Sequence, residues 1–356
     1  MATTLAVFST KPYDRRYLEE AHAANEASSA ISITFHDVPL NRETVSLATG
    51  VQAVCAFVND TLDSVVIDSL ARQGVRAILL RCAGFNHVDL EAAARRGIMV
   101  SNVPSYSPEA VAEFAVALMQ TLNRSTHRAY NRVREANFSL NGLLGMTLHG
   151  KTAGLIGTGK IGLATARIMR GFGCHVLAYD PFPTAALTDI DGCSYVDDLD
   201  DLLARSDIVS LHCPLMESTR HVIDERSIRR MRRGVLIVNT SRGGLIKTDD
   251  LIQGLKDRHI GGAALDVYEG EADLFYEDHS GDIVSDDVIM RLTTFHNVIV
   301  TGHQAFFTAE ALREIADCTL GSLVEFVRTG TCAKSLTAGV GEGKRSSHPP
   351  LPVRNV

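Results

Sequence analysis

The chain has 356 residues, room for two domains of ordinary size, and its 45% apolar and 22% charged content is that of a water-soluble globular protein. A net charge of −7, with basic residues only in scattered pairs such as Arg15-Arg16 and Arg232-Arg233, argues against a nucleic-acid partner. The seven cysteines stand far apart, with no CxxC and no Cys/His pair at zinc spacing, so no metal site is expected and the thiols are expected reduced, in the cytoplasm.

The first hundred residues alternate short apolar runs (5–9, 31–35, 53–57, 76–80 and 98–100) with helical patterns such as 12–30 and 62–72. Strand–helix alternation predicts a parallel sheet with helices on both faces. A longer helix is expected from Pro108 to about Asn123, with Ser107 as its cap. Its apolar stretch, 110–122, is broken by Glu113 and Gln120 and is too short to span a bilayer, so no membrane association is expected. The segment 123–149 shows no strand pairing.

At 152 the alternation restarts. Strands are expected at 152–156, 175–179, 208–211, 235–239, 261–265 and 298–301, six in all, with Asp224 and Thr248 capping two of the helices between them. The helical pattern 308–328 has no strand of its own and is expected to return to the first domain. The predicted domains are 1–105 with 304–338, and 106–303. The stretch 339–356, rich in Gly, Ser and Pro, is expected to be a disordered tail.

The first of the restarted strands runs into Gly157-Thr158-Gly159-Lys160-Ile161-Gly162 and then a helix. Here Gly157 makes the tight turn, Gly159 lets backbone amides approach a pyrophosphate, and Gly162 lets helix and strand pack closely. The helix N-terminus favours the phosphate charge. Asp180, about 20 residues on at the tip of the next strand, stands where a ribose hydroxyl acceptor belongs. A dinucleotide is the expected cofactor.

Ligands of such sheets bind beyond the carboxyl ends of the strands. Three candidates fall there: Arg242 after 235–239, Glu271 after 261–265, and His303 after 298–301. Hydride transfer to a ketone makes an alkoxide, which needs a proton donor titrating near neutrality, the role histidine suits. A carboxylate bonded to that histidine fixes its tautomer and favours the imidazolium. An arginine grips a substrate carboxylate and polarises the neighbouring carbonyl. The pattern points to reduction of a 2-keto acid. Glu269, Glu225, Glu277 and Asp278 compete with Glu271, and His212 competes with His303, although Cys213-Pro214 beside it reads as a wall of an adenine site.

At these motifs the chain resembles the D-isomer-specific 2-hydroxyacid dehydrogenase family over roughly residues 3–335. The carrying segments are Arg81-Cys82-Ala83-Gly84-Phe85-Asn86, Asn102-Val103-Pro104-Ser105-Tyr106, Gly157 to Gly162, Asn239-Thr240-Ser241-Arg242-Gly243 and Leu265-Asp266-Val267-Tyr268-Glu269. The stretches Asp273-Leu274-Phe275-Tyr276-Glu277-Asp278 and Thr301-Gly302-His303-Gln304-Ala305-Phe306 most resemble the family's fermentative, D-lactate-forming branch.

The resemblance implies an α/β fold of two doubly wound parallel-sheet domains, a discontinuous flavodoxin-like substrate domain and an inserted Rossmann NAD-binding domain. It implies NAD as cofactor and a small 2-keto or 2-hydroxy acid as substrate, with Arg242 on the carboxylate, His303 as acid–base residue and Glu271 as its partner. Ala83 and Gly84 would offer amides to the carboxylate, Tyr106 would help close the site, and Phe57 and Phe306 would bound the substrate side chain. Lys160 and Ile161 would meet the pyrophosphate and Asp180 the ribose. Cys213 and Pro214 would lie at adenine, and Thr219, Thr240 and Asp266 would make further cofactor contacts. A homodimer or homotetramer is expected. Pyruvate is the expected substrate; alternatives are another keto acid, or a non-catalytic NADH-sensing protein of the corepressor kind. One departure is Phe114, where many relatives carry histidine.

Overall fold

The structure, a computed structural model, describes residues 3–338 and residue 340. The expected tail, 339–356, lies outside the described residues except for Val340. The described residues form two compact units: 3–107 together with 307–338, and Pro108–Phe306.

The first unit begins β1 (Thr3–Val7), α1 (Pro12–Ala24), β2 (Ile31–Phe35), β3 (Ala53–Ala56), α2 (Ser64–Arg72), β4 (Ala77–Leu80), α3 (Leu90–Arg95) and β5 (Met99–Ser101). All strand pairs are parallel, in the order β2-β1-β3-β4-β5. This is the flavodoxin-like order, with its switch point between β1 and β3. β3 and β4 are buried at every position, as a sheet covered on both faces requires. α2 starts where the Asp63 carboxylate accepts from the Val66 amide.

The second unit continues with α4 (Pro108–Arg124), α5 (Thr126–Arg134), β6 (Thr152–Ile156), α6 (Lys160–Gly171), β7 (His175–Tyr179), α7 (Ala185–Thr188), β8 (Cys193–Tyr195), α8 (Leu199–Arg205) and β9 (Ile208–Leu211). It ends with α9 (Glu225–Arg230), β10 (Val235–Asn239), α10 (Thr248–Lys256), β11 (Ile260–Leu265), α11 (Asp287–Thr293) and β12 (Val298–Val300). The sheet order is β12-β11-β10-β9-β6-β7-β8, all parallel. The switch point of this dinucleotide-type sheet lies between β6 and β9. One core layer packs Met119 and Leu122 of α4 with Ala166 and Met169 of α6; the other packs Leu202, Ile228, Leu251 and Leu292 from α8 to α11. Phe114, the departure noted above, is a partly buried member of the α4–α6 layer.

The chain then returns to the first unit as α12 (Ala309–Thr329). Thr308 accepts from the Ala311 amide at its start, and Gly330 closes it in the left-handed region at φ 75°. Leu320 and Leu323 of α12 pack on Leu5, Val7 and Leu79 of the first sheet, completing a face that the first hundred residues leave open.

Two sequence expectations need correction. The second sheet has seven strands, not six: β8 was missed because three residues, only one of them buried, carry almost no periodic signal. Thr248 lies inside α10; the cap position falls on Lys247 and makes no side-chain cap bond. The segment 123–149, for which no strand pairing is expected, contains no strand among the described residues and forms α5, a helix with no buried residue.

Candidate active site

The glycine motif sits at the carboxyl end of β6, beside the switch point. Gly157 has φ 97°, and a Cβ there would lie 2.7 Å from the His212 carbonyl. Gly162 faces the turn itself: a Cβ there would lie 2.3 Å from the Gly157 carbonyl oxygen. Gly159 caps α6 and is the opposite case, since a Cβ there would meet nothing within 4 Å. Two glycines are thus demanded by packing, and the third keeps space open before a 12-residue helix. The Thr240 hydroxyl, at the end of β10, is buried without a hydrogen-bond partner, although buried hydroxyls are ordinarily bonded. Open space at a helix N-terminus and an orphaned hydroxyl both fit a bound dinucleotide.

Asp180 follows β7. Its Oδ2 accepts from the Thr158 amide at 2.6 Å and the Thr158 hydroxyl at 2.8 Å, and its Oδ1 accepts from the Phe182 amide at 2.9 Å. The Thr219 hydroxyl donates to the Pro214 carbonyl at 2.7 Å and accepts from the Met216 amide at 2.8 Å, so it shapes its own turn. The Ser241 hydroxyl donates to the Cys213 carbonyl at 2.7 Å, joining the loops after β9 and β10. Burial pushes the Cys213 thiol up to about 12, which makes it wall material and not a nucleophile.

Neighbouring strands β10, β11 and β12 lead to Arg242, Glu271 and His303. Asn239 braces the first loop: its side-chain amide donates to the Arg242 carbonyl at 2.9 Å and its Oδ1 accepts from the Ser241 amide at 3.0 Å. The Arg242 guanidinium donates to the Ser241 carbonyl at 2.7 Å. Gly243 lets this loop press on the next, because a Cβ there would lie 2.1 Å from the Tyr268 carbonyl carbon. Glu271 Oε1 meets His303 Nδ1 at 2.8 Å, while its Oε2 accepts from the Tyr268 amide at 2.7 Å. A carboxylate acceptor on Nδ1 makes that nitrogen the protonated one and leaves Nε2 to exchange a proton outward. The competing residues are engaged elsewhere. Glu269 Oε1 meets His221 Nε2 at 2.6 Å. His212 meets the Ser210 hydroxyl at 2.9 Å, and burial pushes its imidazole down to about 4.

His303 holds a left-handed backbone, φ 55°, a costly conformation for a residue with a Cβ. Asp266 sustains it. Fully buried, its carboxylate accepts from the Thr301 hydroxyl at 2.5 Å and from the amides of Gln304 at 2.9 Å and Ala305 at 2.8 Å, and its carbonyl accepts from the His303 amide at 2.8 Å. Burial pushes the Asp266 carboxyl up, and the three donors pull it down. Asp266 therefore shapes the His303 turn through both of its carboxylate oxygens. Tyr276, missed as a site residue, donates its hydroxyl to the His303 carbonyl at 3.1 Å and lays its ring 5.7 Å from the imidazole. Phe306, after this turn, is buried.

In the first unit, Phe57, Ala83 and Gly84 stand at the carboxyl ends of β3 and β4, and Tyr106 follows β5. The Ala83 carbonyl accepts from the Asn102 side chain at 2.7 Å and the Gly84 carbonyl from the Cys82 thiol at 3.2 Å. The amides of Ala83 and Gly84 donate to no group among the described residues. Arg81 anchors this edge. Buried, it pairs with Asp14 (Nε to Oδ1, 3.1 Å), donates to the Ser9 carbonyl at 2.6 Å, and lies 4.6 Å from the Phe57 ring centre.

A switch-point glycine turn, with Arg242 and the Glu271–His303 pair on the loops after neighbouring strands of the same sheet, is an arrangement that suits a dehydrogenase using a nicotinamide dinucleotide. The chain belongs to the D-isomer-specific 2-hydroxyacid dehydrogenase family: residues 116–305 match that family's NAD-binding domain. It is 59% identical to the D-lactate dehydrogenase kk1H of Curvularia clavata over 94% of this chain and 95% of the relative. Its fold is similar to that of the D-lactate dehydrogenase of Escherichia coli, with a TM-score of 0.84 at 48% identity over 94% of this chain and all of the other. It is also similar to the Aquifex aeolicus D-lactate dehydrogenase solved with NAD and lactic acid, with a TM-score of 0.80 at 30% identity over 97% of this chain and 99% of the other. The chain is thus an NAD-dependent 2-hydroxyacid dehydrogenase of the D-specific kind. Among the described residues, no helix is long and apolar enough to cross a membrane.

Proposed function

We propose that the chain interconverts pyruvate and D-lactate, and that Arg242, Glu271 and His303 carry the chemistry. The observation that carries this reading is the 2.8 Å contact between Glu271 and His303, which orients an imidazole as a proton carrier. The D-lactate dehydrogenases among its relatives support the choice of substrate.

In the direction of reduction, bound NADH supplies the hydride. His303 gives a proton from Nε2 to the carbonyl oxygen as charge develops there, and Glu271 stabilises the imidazolium before transfer. Arg242 holds the substrate carboxylate and draws electron density from the neighbouring carbonyl. The free amides of Ala83 and Gly84 serve the same carboxylate. Phe57 and Phe306 bound the substrate's methyl group, and Tyr106 shields the reacting carbon from water. Gly157, Gly159 and Gly162, with Lys160 and Ile161, receive the pyrophosphate, and Asp180 accepts from the adenine ribose. Thr240 offers its orphaned hydroxyl to the cofactor, and Cys213 and Pro214 wall the adenine. We further propose a cytoplasmic homo-oligomer, a homodimer or homotetramer, built through the exposed apolar segment that holds Phe138, Leu140 and Leu144.

The test is NADH oxidation with pyruvate, glyoxylate, hydroxypyruvate, phenylpyruvate and 2-ketoisocaproate, with the product's chirality assigned. The highest kcat/KM on pyruvate, with D-lactate as product, is expected. Preference for a bulkier acid would move the reading to another substrate, and tight NADH binding without turnover of any acid would overturn it.

A further inference from the structure

The carboxylate of Asp180 is held by more than its own loop. Tyr195, at the end of the short strand β8, receives the Thr184 amide on its hydroxyl oxygen at 3.0 Å and lies 2.9 Å from the Thr158 hydroxyl. The proton order follows from counting. Thr158 has one hydroxyl proton, and it goes to Asp180 Oδ2 at 2.8 Å. The proton between Thr158 and Tyr195 therefore belongs to the phenol. The chain runs in one sense: Thr184 amide to Tyr195 hydroxyl, Tyr195 to Thr158, Thr158 to Asp180. Aligned bonds of this kind polarise and strengthen one another.

We propose that Tyr195 is a positioning residue for coenzyme selection, locking Asp180 through Thr158 so that the site takes NADH and rejects NADPH. This rests on the reading of Asp180 as the ribose acceptor. The geometry gives the lock its effect. Two Thr158 donors fill Oδ2, and the Phe182 amide takes one of the two acceptor positions on Oδ1. One position on Oδ1 is left for a ribose hydroxyl. A 2′-phosphate brings about −1.5 to −2 charges and sets anionic oxygens where the ribose hydroxyl had its proton to donate. A free aspartate would turn away from it; a carboxylate anchored at both oxygens stays in place and repels it. Selectivity of this kind comes from an element placed against the wrong ligand, not from added affinity for the right one. Thr158 is buried, so its hydroxyl has no ready water to replace Tyr195. β8 thereby gains a purpose in the site: it carries the phenol to the glycine turn.

The experiment measures kcat/KM for NADH and for NADPH, with pyruvate fixed, on the full-length wild type and on Tyr195→Phe, Thr158→Val, Thr158→Ser and Asp180→Ser. Tyr195→Phe keeps the ring and removes the hydroxyl, and with it both the bond to Thr158 and the acceptor of the Thr184 amide. Loss of one bond in a charge-assisted chain is worth about five- to tenfold. The NADH-to-NADPH ratio should fall by about that factor in Tyr195→Phe, mainly through a higher KM for NADH, and at least as far in Thr158→Val. Thr158→Ser restores the hydroxyl and should stay within about twofold of wild type. A merely structural role for Tyr195 would lower stability and leave the ratio alone. A ratio that collapses in Asp180→Ser but is unmoved in Tyr195→Phe and Thr158→Val overturns the lock and leaves the ribose reading standing. An unmoved ratio in Asp180→Ser overturns both.

Discussion

At the scale of single residues, partners decided what types alone left open. Four glutamates, one aspartate and two histidines compete in the sequence for one proton-carrying pair. Hydrogen bonding separates them: Glu271 faces His303, Glu269 faces His221, and His212 faces Ser210. The place of Arg242 just past β10 was legible because the strand's apolar run marks where it ends. Substituting Arg242→Gln should cost roughly 2–5 kcal/mol of transition-state stabilisation, read as a fall in kcat/KM for pyruvate; near-normal kcat/KM would make the arginine structural. His212 carries a different prediction. Its imidazole is pushed by burial from the ordinary 6.5 down to about 4. The unfolded chain protonates this ring below about pH 6.5 while the folded chain resists until about pH 4, so stability falls with pH through that window, by a total on the order of 3 kcal/mol. Urea unfolding at pH 7.5 and pH 5 should show a smaller drop for His212→Gln than for wild type. Equal drops would mean that the loss comes from other groups.

At the scale of elements, the long, periodic and fully buried pieces were legible, and the short ones were not. β3, β4, β9 and β10 announce themselves as apolar runs buried at every position. β8 has three residues and one buried position, so nothing in its sequence separates it from a loop. The return of α12 was readable from the absence of a strand for it to cross to, whereas the Arg81–Asp14 pair spans 67 residues and leaves no local trace. The glycine turn was readable because spacing and context act together, and its glycines separate into two testable kinds. Gly162→Ala places a methyl 2.3 Å from a backbone oxygen and should lower Tm. Gly159→Ala meets no protein atom, so Tm should hold near wild type while the KM for NADH rises steeply. Thermal melts and coenzyme titrations that failed to separate the two variants would contradict this division.

At the scale of the whole molecule, the sequence carried the fold class well because two parallel sheets make two rounds of strand–helix alternation. It carried assembly poorly. The segment after α5 leaves Phe138, Leu140 and Leu144 exposed by 73%, 82% and 98%, an uncommon concentration of apolar surface for a protein of this composition. Sedimentation of the wild type should report a homo-oligomer, and Leu144→Asp should weaken it; a monomeric wild type would remove this segment from any assembly. The central claim, however, is the proton path, and the kinetics of pyruvate reduction by Glu271→Gln test it most directly. Glu271 holds the imidazole of His303 from 2.8 Å away, and the amide that replaces it is a weaker and uncharged partner. Because kcat depends on the oriented proton donor, it should fall by about 10²-fold or more, with the KM for pyruvate changed far less. A kcat equal to that of the wild type would contradict the account and take Glu271 out of the mechanism.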